Sequence, residues 1–287
     1  MIAAGLLLVA IGAADLVREF MPASRRWIGF AVGGVLLAVI GALSAALPVA
    51  LIAIAVAALW VWLAPSGARP RAGFWPVVLV GAAAALSVAV LPPRADAGII
   101  GALWSLPSPV GPLTFDHVAL LAGTTVFLLE SANVVVRTAL YQERVEVVGV
   151  TADPPLDTDD GEDAASPRIL ETEVARDAVA DPDSIAPVDP ATVTPAESAA
   201  VAGSTLKGGR LIGPLERLMV FALTLAAMYP LLAAVLAAKG IVRFPEISRD
   251  SAVGNRAEYF LIGSLVSWVL ALAGALLVWW AFATPVP

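Results

Sequence analysis

Runs of apolar residues long enough to cross a lipid bilayer follow one another along this chain, and no other feature restricts its fold as strongly. A membrane-spanning helix needs about 20 largely apolar residues. Only 14% of the 287 residues are charged, whereas soluble domains carry about 25%. The sequence therefore predicts an all-α, polytopic transmembrane protein.

The apolar runs divide into seven predicted spans. They are residues 1–17, two spans within 27–63 that separate near 44–48, and residues 74–91, 117–137, 211–238 and 257–283. Tyr229-Pro230 lies in the middle of the sixth span, where proline removes a helical hydrogen bond and predicts a kink. The first five spans form an N-terminal membrane domain, residues 1–140, and the last two form a two-helix hairpin within residues 207–287.

Residues 98–113 are apolar enough to enter a bilayer but contain three prolines, Pro107, Pro109 and Pro112. Proline cannot donate the main-chain hydrogen bond that a regular membrane helix requires. We therefore interpret this stretch as an interfacial or re-entrant segment, and an eighth span is the alternative.

Residues 141–206 differ in composition from the rest of the chain. They contain 15 acidic residues, 3 basic residues and seven prolines, a net charge of −12, while the remainder of the chain has a net charge of +5. Such a segment cannot bury enough apolar surface to offset the entropy of ordering it. It is predicted to be a disordered acidic linker.

The distribution of lysine and arginine leaves the orientation open. Basic residues near the ends of spans favour the cytoplasmic side. With seven spans and an outer N-terminus, nine of them fall in inner loops and five in outer loops; the five are Arg94, Lys239, Arg243, Arg249 and Arg256. An eighth span gives nine against five again. We choose seven spans and a cytoplasmic linker because of the prolines in 98–113.

The last two spans contain residues typical of helix ends. Glu216 follows Pro214 in a predicted first turn, near the positive end of the helix dipole. Lys239 and Gly240 are typical of a helix end. Asn255 and Glu258 have the spacing of a capping box at the start of the final helix.

The loop between these two spans is basic. On one interpretation Lys239 and Arg243 anchor a helix end in the lipid headgroups. On the other, four cations form an anionic-lipid or phosphate site; they are Lys239, Arg243, Arg249 and Arg256.

Three C-terminal stretches, GGRLIGPLERLMVFALTL, AAKGIVRFPEI and AEYFLIGSL, together resemble an uncharacterised bacterial inner-membrane family, the domain of unknown function 3307 proteins. The resemblance covers residues 208–271. The first span has Asp15 but lacks the His and Asp-Phe pattern of that family. The resemblance implies a bacterial inner-membrane protein and implies no activity.

Glu130 is the strongest candidate for a polar site inside a span, since charged residues there are costly and often functional. Asn133 and Arg137 follow it at helical spacing and form one polar stripe with it. Glu130 lies either in the middle of the membrane, as a proton-linked or substrate-contacting carboxylate, or at the cytoplasmic interface.

The sequence has no signature of catalysis. It has no cysteine and one histidine, His117, and no nucleotide-binding loop, hydrolase elbow or metalloprotease motif. We expect no cofactor, no metal site and no nucleic-acid partner. The first hypothesis is a non-enzymatic scaffold or assembly factor whose acidic linker recruits a protein partner and whose helices contact membrane lipids. The alternative is a small transporter or channel that uses the Glu130 stripe.

Overall fold

A computed structural model describes residues 1–64, 74–91, 94, 97–104, 113–140, 209–249 and 254–283. For the helical residues 209–211, 242–249 and 254–260 it describes the backbone alone. The predicted acidic linker lies outside the described residues.

The described residues are almost entirely helical, and nine helices can be named among them. They are α1 Ile2–Phe20, α2 Arg26–Leu43, α3 Leu47–Leu63, α4 Trp75–Val90, α5 Gly98–Leu103, α6 Phe115–Leu140, α7 Gly209–Leu225, α8 Tyr229–Arg249 and α9 Gly254–Ala283. The prediction of an all-helical protein is confirmed.

Three described stretches are long and apolar enough to cross a membrane. They are Ala23–Leu43, Phe115–Leu140 and Leu261–Ala283, and three shorter apolar helices accompany them, Leu47–Leu63, Trp75–Val90 and Tyr229–Ile241. The outer helices expose large apolar side chains, for example Leu36 at 58% and Leu276 at 62%. Apolar surface on this scale is typical of contact with lipid, so the chain is associated with a membrane.

Helices α1 and α6 form the core and run parallel to each other. A side chain at Gly5 would meet the main chain of Ala119 at 2.7 Å, and one at Gly12 would meet the main chain of Phe127 at 2.9 Å. Only glycine permits such an approach of two backbones. Because both contacts advance by about the same number of residues, the two helices keep the same direction.

Contacts at their ends give the directions of α2 and α3. Trp60, near the end of α3, donates a hydrogen bond to Asp15, near the end of α1. Helix α3 therefore runs parallel to α1. Gly29, at the start of α2, lies against Val17 of α1, so α2 runs antiparallel to both.

The contacts of Arg94, four residues after the end of α4, identify the end of the bundle at which α4 finishes. Its Nη2 lies 2.5 Å from Oδ1 of Asp116, at the start of α6, and its Nη1 donates to the carbonyl of Ser44 at 2.6 Å, in the turn between α2 and α3. The segment between α4 and α6 thus leaves and re-enters at one end of the bundle. Within it, α5 has six residues, about 9 Å at 1.5 Å per residue.

The predicted sixth span is two helices rather than one kinked helix. Helix α7 ends at Leu225, and Ala227 adopts a left-handed conformation with φ 55°. Helix α8 then starts at Tyr229 and places Pro230 in its first turn, where proline is tolerated. The prediction of a kink was wrong because the chain reverses direction before the proline.

Two helix boundaries also differ from prediction. Helix α8 continues past Gly240 and Pro245 to Arg249, because a glycine ends a helix only where it adopts the left-handed conformation. Helix α7 begins at Gly209. Together with the break at Ala227, the C-terminal part has three helices instead of the two predicted.

The predicted capping residues fall inside helices. Glu216 is the eighth residue of α7, too far from the helix start to cap it, so that prediction was wrong. Asn255 and Glu258 lie in the first turns of α9, which begins at Gly254. Their side chains are outside the described residues, and their capping roles stay predictions.

These directions group the connections at two ends. We call the end at which α1, α3 and α6 finish the basic end. Helices α7 and α9 start there, because Gly213 faces Asn133 of α6 and Gly263 faces Leu140. The helix ends that border the α1–α2, α3–α4 and α8–α9 connections therefore belong to the basic end, as do Leu140 and Gly209.

Candidate functional site

Helix α6 contains one π-helical turn, Phe127–Ser131, which includes Glu130. Such turns recur at functional sites in helices. The Glu130 side chain is 8% exposed; Asn133 donates to its Oε2 at 3.1 Å, and Nη2 of Arg137 lies 3.3 Å from its Oε1. The structure thus brings the three residues of the predicted stripe together.

Arg217 of α7 completes this group, and the sequence analysis did not single it out. Its Nη2 donates to Oδ1 of Asn133 at 2.5 Å, its Nε to the carbonyl of Leu128 at 2.9 Å and its Nη1 to Ser267 of α9 at 3.4 Å. Arg217 is only 2% exposed. We call Glu130, Asn133, Arg137, Arg217 and Ser267 the Glu130 cluster; it joins α6, α7 and α9.

The sequence did contain a signal for Arg217. It stands directly before the apolar run that ends at Leu225, and a cation inside a membrane helix needs a partner. Arg217 was overlooked because the helix was expected to begin near Pro214, which placed Arg217 in the first turn. The true start at Gly209 puts it well inside the helix.

A second buried ion pair lies on α1. Asp15 and Arg18 are 1% and 6% exposed, and their side chains form an ion pair. Trp60 donates to Oδ2 of Asp15 at 3.0 Å, and Nη1 of Arg18 donates to the carbonyl of Ala64 at 2.6 Å. Bonds from three side chains thus fix the end of α3 against α1.

The two clusters lie at a similar level of the bundle. Gly12 of α1 faces Phe127 of the parallel α6, and Asp15 and Glu130 each follow three residues later. Two carboxylates with their arginines therefore occupy one layer near the basic end.

Lys239 belongs to an ion pair as well. Its Nζ lies 2.6 Å from the Glu216 carboxylate and 5.4 Å from the centre of the Trp268 ring, whose Nε1 donates to Glu216 at 3.3 Å. Lys239 was predicted to take part in a headgroup or anion site. Its pairing with the Glu216 carboxylate lowers its attraction for an anion, and the predicted site stays a prediction. The side chains of its predicted partners, Arg243, Arg249 and Arg256, are outside the described residues.

At the opposite end, the pair of Arg94 and Asp116 lies beside the only histidine. His117 Nδ1 is 2.7 Å from the hydroxyl of Thr114, and its ring packs 4.5 Å from the ring of Phe282. These contacts join the start of α6 to the end of α9, which is consistent with a structural role for His117.

The described residues offer no group of three His, Asp or Glu side chains that could hold a metal ion. Four carboxylates of the helical core are each bonded to a cation; they are Asp15, Asp116, Glu130 and Glu216. Two of these pairs, Arg94–Asp116 and Lys239–Glu216, join different segments of the chain, and separating them leaves a charge uncompensated. The other two lie within α1 and within α6.

The fold and these clusters define a helical protein associated with a membrane. The chain matches no protein-family model, no curated protein and no solved structure. The resemblance of residues 208–271 to the domain of unknown function 3307 proteins stays a prediction.

Proposed function

We propose that the protein is a multi-pass protein of a bacterial inner membrane, with the basic end in the cytoplasm. Eight helices cross in this proposal: α1 to α4, α6, α7, α8 and α9. The predicted sixth span contributes two of them, and residues 98–113 contribute none, since the segment between α4 and α6 has both its ends at one end of the bundle.

The charges support this orientation. Of the 17 lysines and arginines, Arg94 belongs to a connection at the opposite end, Arg217 is buried within a helix, and Arg168 and Arg176 lie far along the acidic segment. The remaining thirteen belong, by their place in the chain, to the ends of apolar spans or to the connections that this proposal assigns to the basic end. The reversal at Ala227 moves four cations to that end and converts a tie into thirteen against one, as the positive-inside rule favours.

Exposed tryptophans support the same membrane boundaries. Trp27, Trp62 and Trp75 are 60% exposed or more at the basic end, and Trp279 is 63% exposed at the opposite end. Tryptophan is enriched at both interfaces of a bilayer.

Within this orientation the protein acts as a non-enzymatic scaffold or assembly factor, whose acidic segment recruits a cytoplasmic protein partner with a basic surface. One observation carries this choice. The four core carboxylates named above all have cationic partners within the protein, so none of them is left unpaired for a transported ion. The net charge of −12 in residues 141–206 lies, in the proposed orientation, on the cytoplasmic side.

Cysteine labelling tests the orientation. The chain has no cysteine, so Ser166→Cys creates a single thiol in the acidic segment. A membrane-impermeant maleimide is expected to label it only after lysis. Labelling in intact cells contradicts the orientation, and Ala45→Cys, in the α2–α3 turn at the opposite end, is the reciprocal control.

Replacement of the acidic segment tests the role. Residues 153–198 are exchanged for a neutral Gly/Ser sequence of equal length, and cells are scored for a phenotype that follows loss of the whole protein. We expect the exchange to reproduce the loss and Glu130→Gln to retain function. The opposite pattern identifies a transporter, and indifference to both changes rejects both roles.

The transporter alternative has one observation in its favour. The π-helical turn holds Glu130 beside Ser131, whose hydroxyl is buried and has no hydrogen-bond partner among the described residues. A transported ion or proton would need such an irregular, polar point within a helix.

A further inference from the structure

A cavity of about 290 Å³ lies between α1, α2 and α3, close to the lower end of the range of ligand pockets, roughly 300–1,000 Å³. Its walls are apolar. They extend from Val9 and Leu37 at the middle of the helices to Val17, Gly29 and Val61 near the basic end. From Val9 to Val17 this is about 12 Å along α1.

The α2 wall of this groove has space beside it. An added side chain at Gly33 or Gly34 would meet no atom within 4 Å. The neighbouring Val32 and Leu36 are 53% and 58% exposed, on the surface that faces lipid in the proposed orientation. An acyl chain from the bilayer can therefore reach the groove sideways.

Cations stand in the chain next to the residues that line the basic end of the groove. Arg25 is exposed and Arg26 is partly exposed, about one turn before Gly29. Arg18 follows Val17, and its Nη1 donates to the carbonyl of Val61 at 3.2 Å.

We propose that this groove binds one anionic phospholipid, with an acyl chain along α1, α2 and α3 and the phosphate at Arg25 and Arg26. This inference rests on the proposed orientation, because the basic end must lie at the headgroup layer. A second copy of the chain filling the apolar walls is the competing occupant, and the experiment below distinguishes it from a lipid.

Native mass spectrometry of the full chain in mild detergent tests the proposal. The protein is titrated with phosphatidylglycerol and with phosphatidylcholine of identical acyl chains. We expect the first phosphatidylglycerol to bind at least roughly tenfold more tightly, since each cation near anionic lipid contributes about 1 kcal/mol. In the double variant Arg25→Gln/Arg26→Gln, the affinity for phosphatidylglycerol is expected to fall to that for phosphatidylcholine.

Gly33→Leu fills the groove and is expected to weaken both lipids about tenfold. Gly240→Leu on α8 is the matched control, because a side chain there also meets nothing within 4 Å and lies outside the groove. Ala58→Leu, on the opposite wall, repeats the test if the first variant misfolds.

Equal binding of the two lipids by the unaltered protein, or unchanged binding by both groove variants, overturns the proposal. A dimer that dissociates with Gly33→Leu assigns the groove to a second copy and also overturns it. The titration is performed in detergent and does not depend on orientation in cells. Failure of lipid binding and failure of the maleimide experiment are therefore read separately.

Discussion

The Nζ atom of Lys239 lies 2.6 Å from the carboxylate of Glu216, and this contact joins two helices that run in opposite directions. Glu216 stands nine residues before Leu225, the end of α7, and Lys239 stands ten residues after Tyr229, the start of α8. The two side chains therefore reach the same level of the hairpin. The pair brings α8 back to the basic end, where the α8–α9 connection and its cations then lie.

Replacement of Arg217 is expected to destabilise the protein strongly. Arg217→Leu leaves the carbonyl of Leu128 and the amide oxygen of Asn133 without their donors, at a cost of about 3 kcal/mol, because each bond to a charged group contributes about 1.5–3 kcal/mol. The measurement is unfolding in mixed detergent micelles. Arg137→Gln is the control, since its side chain is 55% exposed and an exposed pair contributes at most about 1 kcal/mol. Equal losses of stability in the two variants would contradict the conclusion that the buried hydrogen bonds of Arg217 stabilise the protein.

The pair of Asp15 and Arg18 makes a different prediction. Asp15→Leu leaves a buried guanidinium without its carboxylate, and we expect a loss of about 3–5 kcal/mol. The double variant Asp15→Leu/Arg18→Met removes both charges and is expected to recover most of that loss. Thermal unfolding of the three proteins in detergent compares them. If the double variant is as unstable as the single one, the pair does not act by charge compensation.

Two glycines should respond to alanine with opposite signs. A side chain at Gly123 would press on the carbonyl of Gly5, whereas one at Gly81 would meet nothing within 4 Å. Gly123→Ala is therefore expected to cost about 1–3 kcal/mol through overpacking. Gly81→Ala is expected to gain up to about 1 kcal/mol from helix propensity. The free energy of unfolding measures both effects, and an unchanged or higher value for Gly123→Ala would contradict the close approach of α1 and α6.

The reversal at Ala227 can be tested in the same way. Its φ of 55° costs a non-glycine residue roughly 1–2 kcal/mol, so Ala227→Gly should raise stability by about 0.5–1 kcal/mol after the entropy of glycine is subtracted. Ala226 has a helical hydrogen bond to Ala222, and Ala226→Gly should lower stability instead. A melting temperature that falls in both variants would indicate one continuous helix across these residues.

Much of the fold was predictable because bilayer insertion depends on composition. The apolar runs gave the all-helical class and the first four helices, and the spacing of Glu130, Asn133 and Arg137 predicted their contact. The orientation was not predictable. Counting cations requires knowing where the chain reverses, and residues 211–238 form one apolar run whose hydropathy is unaffected by the turn within it.

The sequence alone determined that this chain forms apolar helices, that its charges inside them are few, and that its acidic residues are concentrated in one segment, since these properties follow from residue types and local spacing. The tertiary structure decided the reversal at Ala227, because alanine has no intrinsic preference for the left-handed conformation that it adopts there. It also decided the partners of Arg217 and Asp15. Asn133 is 84 residues from Arg217 and Trp60 is 45 residues from Asp15, and pairs at such separation depend on how helices pack, which no local pattern specifies.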